Sequence, residues 1–187
     1  MKENNDIWLL NIRQELNTLG LGYIWNMDNI GNDHYNIIKI RISDIYQQSL
    51  YGRIAASPKC LLYRFLIQDF RLQKYLCKNI RYIKELTQIR LSAHKLQIEH
   101  GRYRNIERQD RKCTLCNLDD IEDEFHFILK CPVYVDFRNK YIKPYYRRRP
   151  SVFKLVELLN VDQFKDINNL CKFLNSARIL RQNLMQT

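Results

Sequence analysis

Glycine and proline are scarce in this chain, five and four among 187 residues. That argues for helices over a protein of many short hairpins, whose turns need both residues. Long apolar runs are missing too: no stretch approaches the ~20 residues that a membrane-spanning helix requires. The opening Met1-Lys-Glu-Asn-Asn-Asp lacks the basic-then-apolar layout of a secretion signal. Acidic residues are outnumbered, 20 against 31 lysines and arginines, for a net charge of +11. The excess suggests an anionic partner such as nucleic acid, with solubility as the plainer alternative.

Apolar residues make up 45% of the chain, a globular and not a disordered proportion, and the length suffices for one ordinary core or two small ones. Six cysteines without a secretion signal imply a reducing compartment, nucleus or cytoplasm. On that reading Cys60, Cys77 and Cys171 are free and packed.

The other three cysteines fall in one short stretch. From Cys113 to Cys131 the spacing is C-x2-C-x9-H-x4-C, three thiols and the imidazole of His126 within nineteen residues. Zinc takes four such ligands at tetrahedral corners, and C-x2-C is a short turn that offers two thiolates to one ion. The plain alternative is a set of reduced cysteines around a core histidine. Asp119 or Asp120 can cap a helix behind the turn, with Asp123 and Glu124 in its electropositive first turn. Pro132 disfavours helical geometry at Cys131 and suits the first position of a new helix, which makes Cys131 an N-cap. The break matters, because five residues along one unbroken helix rotate Cys131 about 140° away from His126. Four protein ligands leave no corner for water, so the ion is structural.

Along the chain, residues 6–19 read as a helix stopped by Gly20. Gly20-Leu21-Gly22 is a turn and not a phosphate loop, since Trp25 stands where a third glycine belongs. Tyr23 and Trp25 read as core or interface aromatics. Between Asp33 and Ala56, Ile38, Ile42, Tyr46, Leu50 and Ile54 recur every four residues, a buried helical stripe, although 38–42 also alternates like a strand. Two short helices are expected over Lys59–Phe70 and Leu72–Cys77, and one over Ile80–His100 ending at Gly101. His94 and His100 read as surface or core histidines, and Ser92 near His94 makes no triad. Pro132 to Tyr141 should be helical, Ser151 caps a helix through Leu159, and Asp162 caps a last one through about Met185.

Basic residues flank the Cys/His stretch. Arg102, Arg104, Arg108, Arg111 and Lys112 precede it. After it, no acidic residue occurs from Phe137 through Val156, where Arg138, Lys140, Lys143, Arg147, Arg148 and Arg149 interleave with Tyr145 and Tyr146. Guanidinium groups bind phosphates bidentately and aromatic faces stack on unpaired bases, so these residues are the candidate nucleic-acid contacts.

Together the residues predict an all-α fold: a helical domain with a small zinc module inserted between helices. The expected divisions are an N-terminal helical region over 1–79, a helix and basic lead-in over 80–112, the module over 113–143, and a basic segment with C-terminal helices over 144–187.

Arg90-Leu-Ser-Ala-His-Lys-Leu-Gln-Ile-Glu-His-Gly-Arg-Tyr-Arg-Asn-Ile-Glu-Arg, then Cys113-x2-Cys116, then Glu124-Phe-His126-Phe-Ile-Leu-Lys-Cys131-Pro132-Val-Tyr, resembles the region following the polymerase in non-LTR (LINE-type) retrotransposon reverse transcriptases. The likeness spans Ile89 to Tyr146, about a third of the chain. It implies a zinc-binding module that grips element RNA or target DNA during target-primed reverse transcription. Cys113, Cys116, His126 and Cys131 are then the ligands and the neighbouring basic residues the contacts. The chain departs from a whole enzyme of that kind. Its one adjacent aspartate pair, Asp119-Asp120, lies in the zinc loop, its length is too small for a polymerase, and Asp136 with Lys140 makes no nuclease site. The expectation is therefore a non-catalytic module that binds RNA or DNA. The alternative is a zinc-stapled scaffold docking on a reverse transcriptase body without binding nucleic acid itself.

Overall fold

The computed structural model describes residues 2–67, 69 and 71–186, with side chains from residue 7 onward. Among the described residues the fold is all-α, and the one β feature is an isolated antiparallel bridge between Lys112 and Ile121. None of its helices is long and apolar enough to cross a membrane. The chain forms two compact units, Met1–Ala56 and Ser57–Thr187.

In the first unit, α1 (Lys2–Thr18) ends where the sequence places its stop. Gly20 takes a left-handed φ of 71°, and the Leu21 N–H reaches back to the Leu16 carbonyl at 2.8 Å, closing the last turn. A 3₁₀ turn over Gly22–Asn26 follows, then α2 (Asn32–Ala56). Leu16, Leu21 and Ile24 form a small buried cluster, with Trp25 and Ile38 packed on its edge. The strand-like alternation at 38–42 is helical.

The stripe expected to be buried on α2 is not. No residue of α2 is buried, and Ile42 and Tyr46 are 52% and 61% exposed. Its four-residue period marks an apolar face, but within this unit the small cluster gives a partner only to Ile38.

The second unit opens with α3 (Tyr63–Leu66) and a 3₁₀ turn over Lys74–Cys77, shorter than the two helices expected there; Phe70 lies outside the described residues. All six cysteines are free, but Cys77 is exposed where a packed thiol was expected, while Cys171 is buried.

The long helix expected over 80–100 is broken into α4 (Ile83–Arg90) and α5 (Gln97–Tyr103). Two side chains account for the break. Ser92 adopts a positive φ of 48° and gives its hydroxyl to Glu124, and the buried Arg90 guanidinium leaves the helix line to grip another element. Gly101 is inside α5 and not its stop. A β-carbon there would stand 2.7 Å from Arg111 Cγ, so the close approach of that side chain requires glycine.

The loop that carries the Cys/His cluster follows α5. Beyond it come α6 (Val135–Tyr141), α7 (Pro144–Arg147), α8 (Val152–Leu159) and α9 (Phe164–Leu184). Ser151 caps α8 as its sequence position suggests, accepting the Lys154 N–H at 3.3 Å. Gln163, not Asp162, precedes α9, and the Asp162 carbonyl instead accepts from Lys78.

α9 is the axis of this unit. Ile167, Leu170, Cys171, Phe173, Leu174 and Ala177 are at most 1% exposed, and α4 and α6 pack against them. Phe127 from the Cys/His loop lies edge-on to Tyr134 at 4.9 Å and tilted against Phe173 at 6.3 Å.

Two buried arginines tie the elements together. Arg90 donates to the Leu159 carbonyl and to Asn160 Oδ1, fastening α4 to the end of α8. Arg181 on α9 makes a two-pronged pair with Glu122 of the Cys/His loop, at 2.8 and 2.7 Å, with both side chains under 10% exposed. Glu122 Oε2 also accepts the Gln97 N–H that starts α5.

Replacing Arg181 with methionine strands that carboxylate inside. The variant is expected to lose about 3–5 kcal/mol of stability, read as a shift of the urea unfolding curve. The double variant Glu122→Leu/Arg181→Met should regain much of the loss. A double as unstable as the single would locate the effect in the uncapped start of α5 and not in the ion pair.

Candidate metal centre

The site is assembled from a turn and a widened helix. The Lys112–Ile121 bridge is closed by the Cys113 N–H on the Asp120 carbonyl and the Glu122 N–H on the Arg111 carbonyl, both at 2.9 Å. This short ribbon holds the Cys113-x2-Cys116 turn at its tip. Asp119 turns the chain back with a φ of 54°, and its carboxylate meets Lys112 Nζ at 2.6 Å.

The chain then enters a helical segment whose start is capped by Asp123, its Oδ1 accepting the His126 N–H at 2.8 Å. The cap is thus neither Asp119 nor Asp120. Asp123 stands three residues before His126, the ordinary N-cap spacing, and that spacing could have identified it. From His126 to Lys130 the helix widens into a π turn, closed by the Cys131 N–H on the His126 carbonyl at 2.7 Å. The wider turn brings Cys131 back beneath His126, the relationship that a regular helix prevents. Cys131 itself is extended, with φ −53° and ψ 122°, and Pro132 starts the next turn as its sequence predicts.

The sulfurs of Cys113, Cys116 and Cys131 and a ring nitrogen of His126 all lie within 4.8 Å of one another, close enough to hold a metal ion. Cys116 Sγ is 3.4 Å from His126 Nε2. Edges of roughly 3.5–3.8 Å are expected for a tetrahedron built on metal–sulfur bonds of about 2.3 Å, so the arrangement needs only a small contraction. Cys113, Cys131 and His126 are buried and Cys116 is half-buried.

The electrostatics favour a cation. Hydrogen bonds from Cys131 and, against the effect of burial, from His126 hold the Cys113 thiol down at about 3. Cys131 is pushed far up by its bond to Cys113 and by burial, and burial raises Cys116. Burial opposes the charged form of His126, but the Cys113 sulfur outweighs it and raises the imidazole. Sulfurs this crowded cannot all ionise by themselves, and a bound divalent ion removes the conflict. On the far side of the ring, His126 Nδ1 is buried without a hydrogen-bond partner, and Asp120 Oδ2 lies 3.5 Å away. A carboxylate there would fix the tautomer that leaves Nε2 free to bind metal.

The basic residues picked out from the sequence divide into two groups. Arg138 is buried, and its guanidinium donates at 2.8 Å to both the Ile128 and Cys131 carbonyls, clamping the π turn. Arg111 donates to the carbonyls of Ile98 and Ile106, Arg102 pairs with Glu99 at 2.9 Å, and Tyr146 is buried. Burial withdraws Arg138 and Tyr146 from any surface contact, while Arg102 and Arg111 are half-buried and held by these bonds. Arg147 is held by Asn139 at 2.7 Å, Lys143 by Asp166 at 2.6 Å, and Tyr145 gives its hydroxyl to Glu157 at 3.0 Å. Arg104, Arg108, Lys140, Arg148 and Arg149 are exposed.

Glu122 and Arg181, which lock the loop to α9, were invisible as a pair, because nothing in either residue's neighbourhood marks a partner so distant in sequence. His94 is a structural histidine. Glu124 Oε1 accepts from His94 Nε2 and from Ser92 Oγ, each at 2.9 Å, so the carboxylate stands between the two and no serine–histidine bond exists. Comparison with protein-family models, with curated proteins and with solved structures gives no match.

Substituting Cys116 by serine is expected to abolish stoichiometric metal, measured by emission spectroscopy on purified protein, while Cys171→Ser keeps it. Cys116 and Cys131 both hold their protons more tightly than free thiols, so binding must release protons. Apparent metal affinity should therefore rise with pH, and a pH-independent affinity would speak against thiolate ligation.

Proposed function

We propose that the chain is a zinc-stapled module that binds single-stranded RNA or DNA, comparable to the segment that follows the polymerase in non-LTR retrotransposon reverse transcriptases. The observation that carries this reading is a closed Cys₃His set with exposed, unpaired arginines beside it. Three thiolates and one imidazole in a tetrahedral set suit zinc above the harder divalent ions. With all four corners taken by protein, the ion shapes the loop and activates no water, so the module acts without catalysis of its own.

Support for the nucleic-acid partner is electrostatic. Arg148 and Arg149 form no side-chain hydrogen bond or ion pair among the described residues, and no acidic residue lies between Phe137 and Val156. Lys154 Nζ holds the Arg148 and Arg149 carbonyls at 2.6 and 3.3 Å, so that the two guanidinium groups project from a fixed turn. Unpaired guanidinium groups carried on a held turn suit phosphates.

A second reading is favoured by a different surface. On the first unit Ile7, Trp8 and Leu10 of α1 and Ile40, Ile42 and Tyr46 of α2 are all more than half exposed. So much apolar surface suits a protein partner such as a polymerase body, and the module would then serve as a scaffold.

Mobility of labelled single-stranded RNA and DNA at two salt concentrations separates the readings. Nucleic-acid binding should weaken steeply with salt, and Arg148→Ala/Arg149→Ala should flatten the log–log slope by roughly 1.5 while zinc content stays constant. Absence of binding at low salt would leave the scaffold reading.

A further inference from the structure

The aromatic residues of the basic segment are poorly placed for stacking. Tyr146 is buried, and Tyr145 is pinned by its hydroxyl to Glu157 and faced by Lys154 Nζ at 4.9 Å from the ring centre. A residue that the sequence did not single out is better placed. Phe153 is 87% exposed, the most exposed large apolar side chain among the described residues. It lies about 160° around α8 from Leu155, directly opposite the buried Leu155, Leu158 and Leu159, so no rearrangement of the core would cover it.

We propose that Phe153 is a stacking site for an unpaired nucleobase, with Arg148 and Arg149 holding the phosphates that flank that base; the inference rests on the nucleic-acid reading above. Three features converge on it. Lys154 follows Phe153 and binds the carbonyls of both arginines, which brings the arginine turn against the start of α8. Ser151 caps that start and so holds the first turn of α8, which carries Phe153. The one carboxylate on the same face, Glu157, is occupied by the Tyr145 hydroxyl. An open aromatic ring next to unpaired guanidinium groups matches a base and its phosphates, and a ring face accepts every base. Paired bases cannot present that face, so the site selects single strands.

The test is fluorescence anisotropy with a fluorescein-labelled oligouridylate and with a duplex of equal length. Phe153→Ala is expected to weaken oligouridylate binding by about fivefold to a hundredfold and to leave duplex binding within about twofold. Phe153→Trp should keep the affinity, and Phe153→Leu, apolar but not aromatic, should lose it. Because the side chain is exposed, none of these variants threatens the fold. Wild-type affinity in Phe153→Ala, equal losses for strand and duplex, or full affinity in Phe153→Leu would each overturn the stacking site while the broader reading stood. A wild-type protein that bound neither probe would overturn both.

Discussion

A histidine and a cysteine five residues apart cannot meet along an unbroken regular helix, and that constraint shapes the loop that carries both. The π turn over His126–Lys130 answers it. The helix ends there, because Pro132 has no N–H to return to the Ile128 carbonyl. The buried Arg138 guanidinium takes that carbonyl and the one on Cys131 instead. The turn also carries Phe127, Ile128 and Leu129, each at most 3% exposed, into contact with the core built on α9. One candidate ligand, His126, and three core residues therefore come from the same five positions.

The centre and the fold are coupled a second time through Glu122. One carboxylate starts α5, pairs with Arg181 on α9 and sits at the end of the ribbon that presents Cys113 and Cys116. A change at either end of this network is felt at the other. Such coupling suits a structural ion, whose work is to hold several elements in one relationship, better than an ion that must exchange ligands.

Much of this was legible in the residues. The ligand spacing, the Pro132 break and the Ser151 cap depend on chemistry within a few positions, and each is found where its residues place it. The helical class followed from sparse glycine and proline and from period-four patterns. What could not be read depends on distant partners. The stripe on α2 has the right period for burial, yet periodicity reports an apolar face and not the surface that covers it. The break after Arg90 arises from contacts with Leu159 and Glu124, far along the chain. The basic-run pattern likewise offered Arg138 as a nucleic-acid contact, whereas Arg138 is buried for the two carbonyls it holds.

The order of the elements along the chain has a consequence for biogenesis. Cys113, Cys116, His126 and Cys131 are all synthesised before α9, the helix against which their loop packs. Any ion that these four side chains hold can thus be taken up while the loop is still open to solvent, before the last helix is made and closes over it.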